Sequence, residues 1–214
     1  MISRYKAAIF DMDGTLLDSM RYWRLGTLEY LLAHNLPVPD GIMPKLLYRS
    51  SKITIVEALN VLGVSYDIDK VNAEMFDRME WHYLNDVKTK PGAVDFVKKL
   101  RTEGVLCCVA TGTPKNYAIS ALKNHGMAEL FEFIYDESDA GTSKHHVEYF
   151  EGVCGKLGLR MDECVMFEDA AYAMRAVKKT PMGLVGVEDF SMRDDRDEII
   201  SLADKYIRNY SEIL

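Results

Sequence analysis

The acidic residues Asp11 and Asp13, in the segment FDMDGT, are the part of the sequence with the clearest chemical potential. The short apolar run 7–10 before them predicts a buried strand that ends at Asp11. Side chains at positions i and i+2 of an extended segment project to the same side, and Gly14 permits a tight turn. Two adjacent carboxylates repel each other unless a cation lies between them or one carries a proton. The pair therefore predicts a metal or acid–base site, although a short motif of this kind also fits a surface turn.

Two further apolar segments end in residues that suit a phosphate or a cation. Residues 105–110 run into Thr111-Gly112, and residues 164–167 run into Glu168-Asp169. A hydroxyl followed by backbone N–H groups at a helix start can bind an anion, whereas paired acids suit a hard cation such as Mg²⁺. The carboxyl ends of parallel strands share one edge of the sheet, where α/β proteins bind ligands. We therefore expect these groups to meet Asp11 in one site, although each taken alone also fits a helix cap or local turn.

Lys144, in the segment GTSKHH, is a candidate for a fixed positive charge at the same site. A lysine taken at random is more commonly a solvated surface residue. Spacing alone leaves both interpretations open.

The order of the remaining elements predicts a doubly wound parallel α/β sheet. Helical patterns follow the strands, and further strands are expected at 182–187 and 206–207. Residues 19–88 instead show helical spacing of apolar residues and no convincing strand. We predict an all-helical subdomain at 19–88 inserted into an α/β core formed by 1–18 and 89–214. The two connections near Asp18 and Lys88 would act as hinges.

Composition excludes several classes of function. The 214 residues include 26 Lys+Arg and 33 Asp+Glu, a formal net charge of −7, which disfavours nucleic-acid binding through a basic field. No apolar run approaches the roughly 20 residues of a membrane span, and Asp11 follows the start too closely for a signal peptide. The expectation is a cytoplasmic protein without a membrane partner, and nothing in the sequence requires more than a monomer.

These segments resemble the haloacid dehalogenase-like (HAD) hydrolase superfamily, in the helical-cap subgroup that includes β-phosphoglucomutase and many small-metabolite phosphatases. The family's first motif, DxDGT, is matched in full by residues 11–15. The Thr or Ser of the second motif falls on Thr111, the Lys of the third on Lys144, and the acidic pair of the fourth on Glu168-Asp169. Order and spacing agree over almost the whole chain. The resemblance implies a Rossmann-like core with an inserted helical cap.

The resemblance also implies a role for each matched residue. Asp11 would be the nucleophile that attacks phosphorus, and Asp13 the general acid and base. The implied Mg²⁺ ligands are Asp11, Asp13 through its backbone carbonyl, Glu168 and Asp169. The implied phosphate-binding residues are Thr111 and Lys144, and the backbone N–H of Gly112 is expected beside them.

The chain departs from the family pattern at a few positions. Residues 145–147 are His-His-Val where Pro-x-Pro is usual, and Ala173 stands where Gly is usual. A Gly-x-Ser-Arg segment typical of the mutase is replaced by residues 49–52, Arg-Ser-Ser-Lys. The basic residues of this helical region could reach a substrate phosphate, but such residues are more commonly solvated. They are Lys45, Arg49 and Lys52.

The expected function is a Mg²⁺-dependent phosphatase that hydrolyses a small phosphorylated metabolite through an aspartyl-phosphate. The second acid of DxDGT disfavours the dehalogenase reaction of the same family. The alternative is a phosphomutase of the β-phosphoglucomutase type, which uses the same intermediate. A signalling receiver domain would be shorter and would lack the helical insertion. A non-catalytic binding protein is disfavoured because every catalytic position is filled.

Overall fold

The computed structural model describes residues 2–46 and 50–214. The chain divides into two compact units, which are Met1–Asp18 with Lys88–Leu214, and Ser19–Val87. The first unit, here called the α/β unit, contains one six-stranded sheet. The second, here called the helical unit, has only helices as regular structure in its described residues. No helix in the described part of the chain is both long and apolar enough to cross a membrane.

The sheet of the α/β unit is parallel throughout, in the order β3-β2-β1-β4-β5-β6. Its strands are β1 (Ala7–Phe10), β2 (Leu106–Ala110), β3 (Ile134–Tyr135), β4 (Cys164–Glu168), β5 (Gly183–Val187) and β6 (Lys205–Ile207). This is a doubly wound order in which the direction of winding reverses beside β1. The predicted fold class is therefore confirmed. Strand β3 was missing from the sequence prediction because two residues show no periodicity.

Both faces of the central strands are covered. All four residues of β1 and all five of β4 are buried, and apart from Glu168 they are apolar, as is typical of a parallel sheet enclosed by helices. On one face the Phe10 and Phe167 rings stack with centroids 4.6 Å apart, and Phe96 and Tyr210 pack edge-on or tilted around them. The helices of this unit are α5 (Ala93–Thr102), α6 (Lys115–Asn124), α7 (Glu137–Ala140), α8 (Val147–Leu157), α9 (Ala171–Val177) and α10 (Arg196–Leu202).

The helical unit has its own apolar core. Its helices are α1 (Met20–Ala33), α2 (Ile42–Lys45), α3 (Ser51–Val61) and α4 (Ile68–Asn85). Buried side chains such as Leu31, Ile55 and Val71 form one cluster between α1, α3 and α4. Two basic residues of this unit have partners within it, since Lys45 forms an ion pair with Glu57 and Lys52 lies over the Phe76 ring. Arg49 lies outside the described residues.

The two segments of the α/β unit that lead to and from the helical unit pair with each other. The Asp18 N–H donates to the Lys88 carbonyl at 2.8 Å, and the Lys90 N–H donates to the Leu16 carbonyl at 2.8 Å. The Lys90 side chain is buried and reaches the loop after β5, where its Nζ lies 2.7 Å from Asp189 Oδ2. The same Nζ donates to the Glu188 carbonyl at 2.9 Å, so Lys90 joins three chain segments through its backbone N–H and its ammonium.

The Lys90–Asp189 pair yields a stability prediction. Lys90→Met leaves the buried Asp189 carboxylate without its cation and should lower the free energy of unfolding by about 3–5 kcal/mol. In Lys90→Met/Asp189→Asn the charge is absent, but Oδ1 still accepts from the Ser191 N–H, so most of the loss should be recovered. Urea unfolding of both variants checks this. A Lys90→Met variant that is as stable as the wild type would contradict the prediction.

Candidate active site

The register of the sheet brings three predicted site residues to one edge. Phe10 pairs with Val109 of β2 and with Phe167 of β4, so the chain positions that follow lie side by side. These positions carry Asp11 directly after β1 and Glu168 at the end of β4, while Thr111 directly follows β2. This edge lies at the reversal of the strand order, where doubly wound folds bind ligands.

Lys144 joins two of these strand ends. Its Nζ lies 2.7 Å from Asp11 Oδ1 and forms a second ion pair with Glu168 Oε2. The side chain is 1% exposed. Burial lowers the pKa of this ammonium, but the two carboxylates outweigh it and hold that pKa well above its usual value. Lys144 therefore stays a fixed positive charge at neutral pH.

The acidic pair after β4 is held by two different sets of contacts. Glu168 Oε1 accepts from the backbone N–H groups of Asp169 at 3.2 Å and Ala170 at 3.0 Å. Asp169 Oδ1 accepts from the Thr15 hydroxyl at 3.0 Å. Asp169 Oδ2 is buried and has no hydrogen-bond partner in the described residues. It lies against Gly14, where an added Cβ would come within 2.3 Å of it.

The carboxylates are close together and concentrate negative charge at the site. One oxygen each from Asp11, Glu168 and Asp169 lies within 4.8 Å of the others. Burial raises the pKa of Asp11 to about 7, with Lys144 opposing the shift and the neighbouring acids adding to it. Burial, with Glu168 and Asp11, also raises the pKa of Asp169.

These residues fit a hard divalent cation. Carboxylate oxygens are the ligands that Mg²⁺ prefers, and the buried Asp169 Oδ2 lacks a partner that such an ion would supply. A cation among three acids would also favour their ionised forms. The Asp13 carboxylate is not a member of this group of three, in line with the backbone-carbonyl role implied by the family resemblance.

Asp13 and Thr111 are connected through Thr113. The Thr113 hydroxyl donates to Asp13 Oδ2 at 2.7 Å, and the Thr113 N–H donates to Thr111 Oγ1 at 3.0 Å. The Thr111 hydroxyl still carries a proton that it can donate. The Gly112 residue is exposed, and its N–H has no partner among the described contacts. Thr111 and Gly112 therefore offer donors at this edge, whereas the Thr113 N–H is engaged locally.

Sequence reasoning missed two side chains that support this region. The Thr113 hydroxyl was not among the predicted site groups, and its contact with Asp13 joins residues 100 apart. Tyr149 of α8 was not singled out, yet its buried hydroxyl donates to the carbonyls of Thr111 at 3.2 Å and Tyr135 at 2.9 Å. No local pattern marks either contact. A polar tip on an otherwise apolar helix face was the only available signal for Tyr149.

The fold and the site define an α/β protein with an acidic, lysine-containing centre at the switch point of a doubly wound sheet. The family model described as haloacid dehalogenase-like hydrolase matches residues 8–187. The chain therefore belongs to this family. The prediction of the family and of a hydrolase within it is confirmed.

Curated relatives of the chain include phosphatases of small metabolites. It is 26% identical over 183 residues to validoxylamine A 7'-phosphate phosphatase of Streptomyces hygroscopicus subsp. limoneus, covering 86% of this chain and 85% of that protein. It is 26% identical over 191 residues to fructose-1-phosphate phosphatase YqaB of Escherichia coli, covering 87% and 98%. The structure of CbbY from Rhodobacter sphaeroides in complex with phosphate is similar in fold, with a TM-score of 0.79 and 19% identity, covering 98% and 96%.

The close approach of Gly14 to Asp169 predicts an unusual cost for an added methyl group. Gly14 and Gly104 have similar positive φ values of 88° and 80°, but only Gly14 has atoms near its Cβ position. Gly104→Ala should therefore cost about 1–2 kcal/mol of backbone strain. Gly14→Ala should cost clearly more, because Asp169 must also move. Equal losses of unfolding free energy in urea would contradict this.

The raised pKa of Asp11 predicts how stability varies with pH in protein stripped of metal by EDTA. Between the unfolded pKa near 3.8 and the folded pKa of about 7, the folded state binds more protons at Asp11. The contribution of Asp11 to stability therefore falls as pH rises through this window. The unfolding free energy of Asp11→Asn minus that of the wild type should rise from pH 4 to 7 and level off above it. A difference independent of pH would contradict the prediction.

Proposed function

We propose that this protein is a Mg²⁺-dependent phosphatase that hydrolyses a small phosphorylated metabolite through an aspartyl-phosphate on Asp11. The observation that carries the proposal is the buried ion pair of Lys144 with Asp11 at 2.7 Å, inside a cluster of acids. An anionic nucleophile reacts with an anionic phosphate ester only where cations offset their repulsion. The curated relatives named as phosphatases support the same reaction class.

Asp11 is the proposed nucleophile. Its Oδ1 is held by Lys144, so one oxygen of the carboxylate is oriented by the lysine while the other remains to attack phosphorus. Attack forms the Asp11–phosphorus bond and breaks the ester bond between phosphorus and the leaving oxygen. Lys144 and the donors of Thr111 and Gly112 stabilise the charge on the transferred phosphoryl oxygens.

Asp13 is the proposed acid and base. It gives a proton to the leaving oxygen in the first step and takes one from the attacking water in the second. Water then breaks the Asp11–phosphorus bond, which releases inorganic phosphate and restores the Asp11 carboxylate. The hydrogen bond from Thr113 fixes the orientation of the Asp13 carboxyl between these transfers.

The carboxylates of Asp11, Glu168 and Asp169, with the Asp13 carbonyl, would hold the Mg²⁺. The bound ion would supply charge stabilisation for the phosphoryl group beyond that of Lys144. Within the chain, Thr15 orients Asp169 through its hydroxyl. The N–H groups of residues 169 and 170 orient Glu168.

A panel of sugar phosphates and other small phosphoesters, assayed with Mg²⁺ and with EDTA, tests the proposal. We expect phosphate release that requires Mg²⁺ and that falls at least about a thousandfold in Asp11→Asn, because the nucleophile is absent. Asp95→Asn, the same chemical change on α5, is the matched control and should keep full activity. Retained activity in Asp11→Asn would contradict the aspartyl-phosphate route.

The same samples distinguish hydrolysis from group transfer within the substrate. Isomerisation of β-glucose 1-phosphate without net phosphate release would replace the phosphatase with a phosphomutase. Absence of both reactions across the panel, with Mg²⁺ bound in calorimetry, would contradict a phosphatase acting on the classes tested.

A further inference from the structure

The loop that carries Lys144 has no regular secondary structure to fix it. Residues 141–146 lie between α7 and α8 as turns and bends. The Lys144 side chain is long, with four rotatable carbon bonds, yet its Nζ must stay between Asp11 and Glu168. The backbone of this loop therefore needs an anchor close to Lys144.

An aromatic stack at the next residue provides such an anchor. The imidazole of His145 lies on the ring of Tyr172, with centroids 4.3 Å apart and planes 24° apart. Tyr172 is in the first turn of α9, three residues after Asp169. The stack therefore connects the Lys144 loop to the segment that follows the acidic pair of β4.

Tyr172 is close enough to the charges of the site to be affected by them. Its side chain is 38% exposed. Burial nevertheless raises the pKa of Tyr172, while the charge of Lys144 lowers this pKa and that of Glu168 raises it. The ring thus contacts the exposed imidazole of His145 from a helix that begins two residues after Asp169.

We propose that His145 and Tyr172 are positioning residues, whose ring stack holds the Lys144 backbone in place for phosphate binding. The proposal rests on the proposed function, because it acts through the contact of Lys144 with the phosphoryl group. Neither ring takes part in the chemical steps. The contact needs a flat ring at residue 145 but no specific imidazole nitrogen.

The strength of a ring stack limits the expected effect. An aromatic pair changes an equilibrium or rate constant by about two- to tenfold. A displacement of about 1 Å in a group that binds the reacting phosphate changes rates by at least this much. Because His145 is exposed, its removal should change phosphate binding far more than it changes global stability.

Variants at residue 145 test the proposal. In His145→Ala, kcat/KM should fall about three- to tenfold and inorganic phosphate should inhibit more weakly by a similar factor, while the unfolding midpoint stays unchanged. His145→Phe keeps a ring on Tyr172 and should restore both values to within about twofold of the wild type. Wild-type values in His145→Ala would overturn the proposal. An equal loss in His145→Phe would also overturn it, because the imidazole itself would then be required.

A second stack of the same composition serves as the matched control. Tyr30 and His34 of the helical unit stack with centroids 4.3 Å apart and planes 27° apart. His34→Ala should leave kcat/KM and phosphate inhibition unchanged, and a loss equal to that of His145→Ala would overturn the proposal. A wild-type protein that releases no phosphate from any substrate would contradict the proposed function. If instead the wild type is active and His145→Ala is unaffected, the positioning role alone is overturned.

Discussion

Repulsion among buried carboxylates is the constraint on which the site depends. Asp11, Glu168 and Asp169 bring oxygens within 4.8 Å of one another at the end of two neighbouring strands. Each is nearly inaccessible to water, so bulk solvent screens little of the repulsion. The Lys144 ammonium offsets part of it through ion pairs with two of the three acids. The remaining negative charge fits the binding of a further cation, and the rest of the fold must tolerate it.

The strands that supply the charged residues also supply buried aromatic rings of the apolar core. Phe10 directly precedes Asp11, and Phe167 directly precedes Glu168, and these two rings stack at 4.6 Å beneath the sheet. Each strand thus ends with a buried ring followed at once by a carboxylate. The register that aligns the two rings also aligns the two acids. Packing therefore fixes the separation of the charges, and the rings cannot shift without loss of close contact.

Local sequence patterns could predict the strand ends but not the contacts between distant segments. The apolar runs before Asp11 and Glu168 stop abruptly at an acid, which is a strong pattern because a buried parallel strand admits few polar residues. The hydroxyl contact of Thr113 and the ion pair of Lys90 with Asp189 join residues 100 and 99 apart, and nothing in their neighbourhoods marks them. The helices in 19–88 could be predicted from the periodicity of their apolar residues, whereas the two-residue strand β3 is too short to show a periodic pattern.

The two lysines that are buried in the described part of the chain, Lys90 and Lys144, differ in how their charges are balanced. Lys90 has one acid, Asp189, and a carbonyl to bind, and the second oxygen of Asp189 accepts from the Ser191 N–H. Those charges balance and their oxygens are satisfied within the protein. Around Lys144, one ammonium pairs with two acids of a cluster of three, and Asp169 Oδ2 has no hydrogen-bond partner in the described chain. Natural proteins seldom leave a buried carboxylate oxygen without a partner unless a ligand supplies it. The imbalance of charge at Lys144, rather than the presence of buried charge, is therefore the feature on which the proposed binding of a cation and phosphate rests.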